Sequence, residues 1–160
     1  MSRRAHLMSA AALAVAVLLA TSQTVNADMS KSVIAAFRGQ LVISKGELPA
    51  GKNDKDTIAK IKKEQIKVLQ GTKNEDVTSW YFSYTAFLNR TGQKSLKMEF
   101  MKGGKLAADK RLDSIDPKSA ILTGDIQINE DEGLAAGNTY TIQLVTSSGA
   151  VVAKTTLTMK

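Results

Sequence analysis

Cys and His, two residue types that often carry enzyme chemistry, are nearly missing from this chain of 160 residues, which has no Cys and a single His, His6. Without Cys there is no thiolate nucleophile, no disulfide and no zinc site built on thiolates. His6 lies in a segment that the sequence predicts to be removed, so Ser-His-Asp catalysis and His-ligated metals are excluded from the remainder. Carboxylate pairs for a hydrolase remain available, but nothing in the sequence places two of them at a cleft. We therefore expect a protein that is not an enzyme and that uses no cofactor, and no metal ligand is assigned.

The sharpest charge feature is a run of lysines within residues 52–73. This segment carries seven lysines and three acids, a net charge of +4, whereas residues 74–160 carry ten charges of each sign. A concentrated positive face can bind lipid headgroups, an anionic polysaccharide or an acidic protein. The segment has no Arg and no aromatic residue, which argues against nucleic acid as a partner. The lysines predicted to bind a polyanion are Lys60, Lys62, Lys63 and Lys67; the alternative is a solvated helix face that keeps the protein soluble.

A second group of charged residues lies just before Gly133. Asp125 and the run Asn129, Glu130, Asp131 and Glu132 place several oxygen donors around one loop. Calcium takes roughly six to eight such ligands, but the spacing matches no EF-hand loop. Two alternatives stay open for this loop, a calcium site and an ordinary hydrated surface, and no metal ligand is assigned.

Residues 1–27 have the organisation of an export signal. Arg3 and Arg4 precede an uncharged apolar run of 13 residues, Met8 to Ala20, and small residues end the segment at Ala27. A membrane-spanning helix needs about 20 apolar residues, so cleavage is favoured over an uncleaved anchor. We expect a periplasmic or secreted protein of residues 28–160 without a transmembrane span. Export by the general secretory route and by the twin-arginine route are both open.

Seven segments of the remaining chain alternate apolar and polar residues with the period of two that β-strands show. In the strongest of them Trp80, Phe82 and Tyr84 share one face, and we expect these three in the core. The pattern predicts an all-β protein, a single antiparallel β-sandwich of about seven or eight strands. Tyr81 and Phe87 lie on the opposite face of the same strand, where they are either covered or form an exposed apolar ligand patch. The segments are residues 37–44, 80–88, 96–100, 106–112, 122–128, 140–144 and 151–159.

One segment departs from this alternation. Between Asp54 and Leu69 the isoleucines fall on one side of a helix, Asp54 can cap its start, and lysines crowd its C-terminal half. We predict a short helix near 54–63 followed by a strand near 64–70, with a helical 64–70 as the alternative. The isoleucines of this segment are candidates to cover the outer face of the strand that contains Phe87.

The residues from Leu134 to Tyr140 (LAAGNTY) resemble the tyrosine corner of immunoglobulin-like and fibronectin type III-like sandwiches. In that motif a Tyr near the start of the penultimate strand hydrogen-bonds back to the preceding loop. The resemblance implies an immunoglobulin-like sandwich in which Leu134, Gly137 and Tyr140 have a structural role and Trp80 is the core Trp. This chain departs from the family in lacking a Cys pair and in having Gly137 where the fibronectin version has Pro.

The alanine-rich signal is typical of bacteria. We therefore expect a non-catalytic exported domain of residues 28–160 that is a binding or structural module of the bacterial envelope, with a protein or another envelope component as its partner. The alternative is a soluble periplasmic carrier or receptor for an anionic or amphiphilic ligand, held between the sandwich and the segment 54–69. A sandwich hosts many functions, so the choice depends on its surface sites.

Overall fold

A computed structural model describes residues 29–88 and 92–160; the predicted export signal lies outside the described residues. The described chain is mostly β-strand, as predicted, with two short helices and one 3-10 turn. In chain order the elements are α1 (Lys31–Ala36), β1 (Leu41–Ser44), α2 (Asp54–Glu64), β2 (Val68–Leu69), β3 (Thr72–Asn74), β4 (Val77–Phe87), β5 (Leu96–Lys102), β6 (Lys105–Leu112), β7 (Ile121–Asn129), the 3-10 turn (Glu130–Glu132), β8 (Asn138–Val145) and β9 (Val151–Met159).

The strands form two sheets. One has five strands in the order β2-β9-β8-β5-β6, and its β2–β9 pair is parallel. In the other sheet β4 is central, with β7 along one side. β1 and β3 share the other side of β4, where β1 lies opposite Ser83–Ala86 and β3 lies opposite Val77–Ser79. The remaining strand pairs are antiparallel, as the sequence predicts.

Two chain segments close one side of the molecule by crossing between the sheets. The backbone N–H of Gly39 donates to Phe87 on β4 at 2.8 Å, while the carbonyl of Gly39 accepts from Lys154 on β9 at 3.1 Å. At the other end, β2 pairs with β9, and β3, which follows within a few residues, pairs with β4. The indole N–H of Trp80 donates to the Lys160 carbonyl at 3.1 Å and joins the sheets again. Hydrogen bonds therefore connect β4 to the β9 end of the chain along this side.

The main core lies between the sheets. Trp80, Phe82 and Tyr84 are buried there in one continuous cluster with side chains of the five-stranded sheet. The rings of Phe82 and Phe100 meet edge to face with their centroids 6.5 Å apart. Because one cluster takes side chains from both sheets, the sheets pack face to face as in a β-sandwich.

The helices form a second layer on the outer face of the sheet that contains β4. Their buried cluster consists of Val33, Phe37, Val42, Leu48, Ile61, Phe87 and Ile121, which we call the second core. The rings of Phe37 and Phe87 stack with their centroids 5.0 Å apart. This layer covers Phe87 as the sequence suggested, and Ile61 of α2 supplies part of the cover.

Helix α1 corrects the prediction of a strand over residues 37–44. Phe37 caps the C-terminus of α1, and β1 begins only at Leu41. The Ser30 side chain accepts the Val33 N–H at 3.3 Å and caps the helix start. Val33 and Phe37 are four residues apart, which places both on the helix side that faces the sheet. The alternation of apolar and polar residues does correctly indicate the buried strand that follows, β1.

Helix α2 coincides with the predicted helix near 54–63, but its cap differs. Asn53 rather than Asp54 is the N-cap, and its side chain accepts the Asp56 N–H at 3.0 Å. The helix ends at Gln65, and the next N–H, that of Ile66, donates to the Ile43 carbonyl of β1 at 2.8 Å. This contact returns the chain to the sheet. The predicted strand near 64–70 is therefore reduced to β2.

Candidate functional site

The structure divides the four lysines predicted to bind a polyanion. Lys60 is held inside its own segment: its Nζ lies 3.3 Å from an Asp56 carboxylate oxygen and 3.3 Å from the Ala50 carbonyl oxygen. Lys62, Lys63 and Lys67 are exposed. Within residues 29–88 and 92–160, none of these three forms an ion pair. The charge of Lys60 is thus partly neutralised, whereas the other three are available to a partner.

We call Lys62, Lys63 and Lys67 the basic strip. The four residue steps from Lys63 to Lys67 limit the distance between their Cα atoms to about 14 Å. Lys62 and Lys63 are at the C-terminal end of α2, where the helix dipole favours positive charge. The backbone of Lys67 is fixed because its carbonyl accepts the Thr158 N–H of β9 at 2.9 Å. The strip is therefore anchored at both ends in regular structure.

Asp56 organises the start of α2. Its carboxylate accepts the backbone N–H of Lys52 at 2.8 Å and pairs with Lys60. These contacts, the Lys52 hydrogen bond first, hold the pKa of Asp56 below its usual value of 3.8. Asp56 therefore stays charged at neutral pH and is satisfied by residues at the beginning and middle of the helix.

The acidic residues of the candidate calcium loop before Gly133 do not converge on one point. Glu130 accepts the backbone N–H of Thr78 at 3.0 Å, and this bond lowers the pKa of Glu130. Glu132 forms an ion pair with Lys110 on β6, and Asp125 accepts a hydrogen bond from a serine of β4 at 2.7 Å. No cluster of acidic or His side chains able to hold a metal ion occurs in the part of the chain that the structure describes. The calcium alternative gains no support there.

Tyr140 lies at the start of β8 with its side chain buried. Its hydroxyl accepts the backbone N–H of Ala135 at 2.9 Å and lies 3.4 Å from the carbonyl oxygen of the same residue. Leu134 is buried just before this loop, and Gly137 has a φ of +80°, which favours glycine. The structure thus brings the residues of the predicted corner into one hydrogen-bonded loop.

The two aromatic residues on the outer face of β4 have different surroundings. Phe87 is fully buried in the second core, whereas Tyr81 is 60% exposed. Loss of water raises the pKa of Tyr81, and the charge and hydrogen bonding of nearby Asp125 raise it further. Polar Ser83 and Gln127 share this part of the sheet face, so Tyr81 does not belong to a continuous apolar patch.

A cavity of about 300 Å³ lies between the start of α1 and the loop that precedes α2. Its residues are separated by about twenty positions in the chain, so sequence spacing does not reveal it. Its apolar side consists of Met29, Val33, Leu48 and Ala50, and its polar side consists of Ser30, Gly51, Lys52, Asn53, Asp54 and Thr57.

A second concave region, of about 240 Å³, lies beside β5 and the β8–β9 turn. Its charged residues include Lys97, Glu99 and Arg111. Lys97 already lies 3.8 Å from Glu99 and 3.9 Å from Asp109, and Glu99 also accepts from Gln143 at 3.0 Å. Its charged groups therefore pair largely with one another.

No helix of the described residues is long and apolar enough to cross a membrane. The structure defines a mostly β protein whose two sheets pack as a sandwich beneath a helical layer. No protein-family model matches the chain, and no curated protein and no solved structure matches it either.

Proposed function

We propose that the sandwich is immunoglobulin-like. In that fold the first, second and fifth main strands share one sheet, and the third, sixth and seventh share the other. If β1 is taken as the first strand and β4 as the second, β7 becomes the fifth, and it pairs with β4 as this arrangement requires. The seventh, sixth and third strands then form the row β9-β8-β5. β6, the fourth strand, departs from the constant-type arrangement because it lies at the edge of this row instead of in the sheet of β7. The hydrogen bond of Tyr140 to Ala135, at the start of the penultimate strand, also supports the proposal.

We further propose that the protein acts without catalysis as a binding module of the bacterial envelope. The export-signal pattern of residues 1–27 supports the location, and the lack of Cys and the single His support a role other than catalysis. The observation that carries the binding role is the exposure of the basic strip beside a sandwich whose own charges balance. The partner is an anionic component of the envelope that meets Lys62, Lys63 and Lys67.

Retention on a heparin column tests the strip directly. The triple variant Lys62→Gln, Lys63→Gln and Lys67→Gln is expected to elute at clearly lower salt than the wild type, because three unpaired charges are lost. A matched control replaces Lys94, Lys102 and Lys105 with Gln. These three lysines are exposed and form no ion pair in the described structure, and replacing them removes the same net charge. Equal shifts in the two variants would show that retention follows net charge alone and would refute a role for the strip.

Cross-linking in an envelope preparation extends the test to the natural partner. A lysine-independent photo-cross-linker placed at the exposed Gln70, three residues after Lys67 in the chain, should capture one product with the wild type. The product is expected to disappear with the strip variant and to persist with the control variant. A product that persists in both would place the partner on another surface.

A further inference from the structure

We infer that the cavity between α1 and the loop before α2 binds a small amphiphile with an anionic head, of the class of medium-chain carboxylates. The inference goes beyond the proposed function because it uses other residues than the basic strip. It locates the carrier alternative at a definite place, beside the start of α2 rather than between the sheet and the whole segment 54–69.

The polar wall of the cavity is held in place by the first turns of α2. Thr57 accepts the Gly51 N–H at 2.8 Å, and Asp56 accepts the Lys52 N–H at 2.8 Å. The loop packs so closely that a Cβ on Gly51 would lie 2.4 Å from the backbone nitrogen of Thr57. Lys60 adds a bond to the Ala50 carbonyl at 3.3 Å. This wall is therefore formed before any ligand arrives.

The apolar floor is fixed from the other side. Val33 and Leu48 are buried members of the second core, and Met29 packs against that core. The floor thus rests on the stacked rings of Phe37 and Phe87 and on the sheet beneath them. Because both segments that form this surface are already packed in the folded protein, a ligand that enters orders few additional groups.

The size and lining select the class of ligand. Small-molecule sites typically have volumes of about 300–1,000 Å³. This cavity, at about 300 Å³, is at the lower end of that range and suits a ligand with one short hydrocarbon chain. An apolar floor beneath a polar mouth fits a molecule with a hydrocarbon tail and one polar head. Within the described residues nothing pairs with the ammonium group of Lys52, which is the cation of the lining.

The surrounding charge decides the sign of the head group. Asp54 also lines the mouth, but residues 50–60 contain three lysines and two aspartates, a net charge of +1. The dipole of α2 adds positive potential at its N-terminus, on the same side as the cavity. The balance favours a carboxylate next to Lys52 over an ammonium group next to Asp54.

Thermal melting with octanoate, octanol and octylamine tests the inference on the purified protein. A ligand that binds only the folded state raises the melting temperature in a saturable way. We expect octanoate to give the largest rise. Lys52→Gln should weaken octanoate binding about two- to fivefold, as the loss of an exposed ion pair does, and leave octanol unchanged.

A cavity-filling variant locates the binding. Ala50 is exposed and lines the cavity, so Ala50→Trp is expected to block it and abolish the rise. Ala150→Trp, at an exposed position in the β8–β9 turn, is the matched control and should keep the rise. Melting without ligand shows whether both variants fold. If Ala50→Trp does not fold, the effect of Lys52→Gln on octanoate binding is the result that tests the inference.

Four results would overturn the inference: no saturable rise with octanoate, an equal rise in the Ala50→Trp variant, unchanged octanoate binding in the Lys52→Gln variant, or binding of octylamine as tight as that of octanoate. The basic-strip triple variant should bind octanoate like the wild type. This variant separates the two proposals. Heparin retention is expected to depend on the basic strip and octanoate binding on the cavity, so the triple variant should lose the first and keep the second.

Discussion

The sandwich and the helical layer differ in how their charges balance. On the sandwich some cations pair with acids, as Lys110 does with Glu132 and Arg111 does with Asp113 at 2.8 Å, and the charges of residues 74–160 sum to zero. In the helical layer the described residues form one ion pair, Lys60 with Asp56, and Lys62 and Lys63 stay unpaired. The excess of positive charge is therefore concentrated in the segment 52–73, which contains α2.

The cores of the two regions also differ in size. Among the described residues the main core has 24 buried side chains, from both sheets and their loops, whereas the second core has seven and borders the cavity. A large closed core supplies most of the stability, and a small core next to a void can relax when it is changed. We therefore expect stability to depend mainly on the sandwich, and the recognition proposed above involves the layer.

Two phenylalanines of β4 give the strongest test of this division. Phe82 points into the main core and Phe87 into the second core, and both are at most 1% exposed. Phe82→Ala is expected to lower the free energy of unfolding by about 3–5 kcal/mol, as Phe-to-Ala changes in closed cores do. Phe87→Ala should cost less, because the layer can move toward the space. Urea unfolding of both variants measures the difference, and an equal or larger cost for Phe87→Ala would contradict the division.

A smaller effect is expected at the corner of the sandwich. Tyr140→Phe removes the hydroxyl that accepts the Ala135 N–H, and the net loss of one hydrogen bond is about 1 kcal/mol. Tyr81→Phe is the matched control because Tyr81 is largely exposed, and its free energy of unfolding should hardly change. Heparin retention should stay the same in both variants. A loss of retention in Tyr140→Phe would connect the corner to recognition rather than to stability.

The smallest expected effect is the acid response of α2. The folded pKa of Asp56 lies below its usual value of 3.8, so its contacts stabilise the protein above that value, and the contribution is lost as the pH falls through the folded pKa. Asp56→Asn should therefore be slightly less stable than the wild type at neutral pH and should approach it in strong acid. Melting temperatures between neutral pH and pH of about 2 measure the convergence. A stability difference that stays constant over this range would show that the charge of Asp56 is not responsible.

The sandwich is the part of the fold that the sequence predicts well. Alternation indicates β4 to β9 because each strand has one face in the main core, as the burial of Trp80, Phe82 and Tyr84 illustrates. Alternation over the segment 106–112 predicts Leu106 on the same face as Ala108 and Leu112, and this is wrong because Leu106 is 52% exposed. The pairing of β5 with β6 shifts register between Phe100 and Met101, and this irregularity breaks the alternation.

The helical layer is harder to predict because tertiary contacts form it. A helix of six residues has little stability of its own, and α1 depends on packing Phe37 against Phe87, fifty residues away. The lysines could be located from their spacing. The sequence does not predict that Lys60 is separate from the basic strip, because one partner of Lys60 is the carbonyl of Ala50, which lies in a loop. The cavity likewise depends on how α1 meets that loop.

The parallel pairing of β2 with β9 has a mechanical consequence. Val68 and Leu69 lie beside Thr158 and Met159, and the bridge between Gln40 and Lys154 has the same direction. A force applied between Met29 and Lys160 would pull these segments past each other along their length. The hydrogen bonds that join them would carry the load together instead of opening one after another. The side of the sandwich that the crossing segments close is thus also the side best arranged to resist stretching from the ends of the domain.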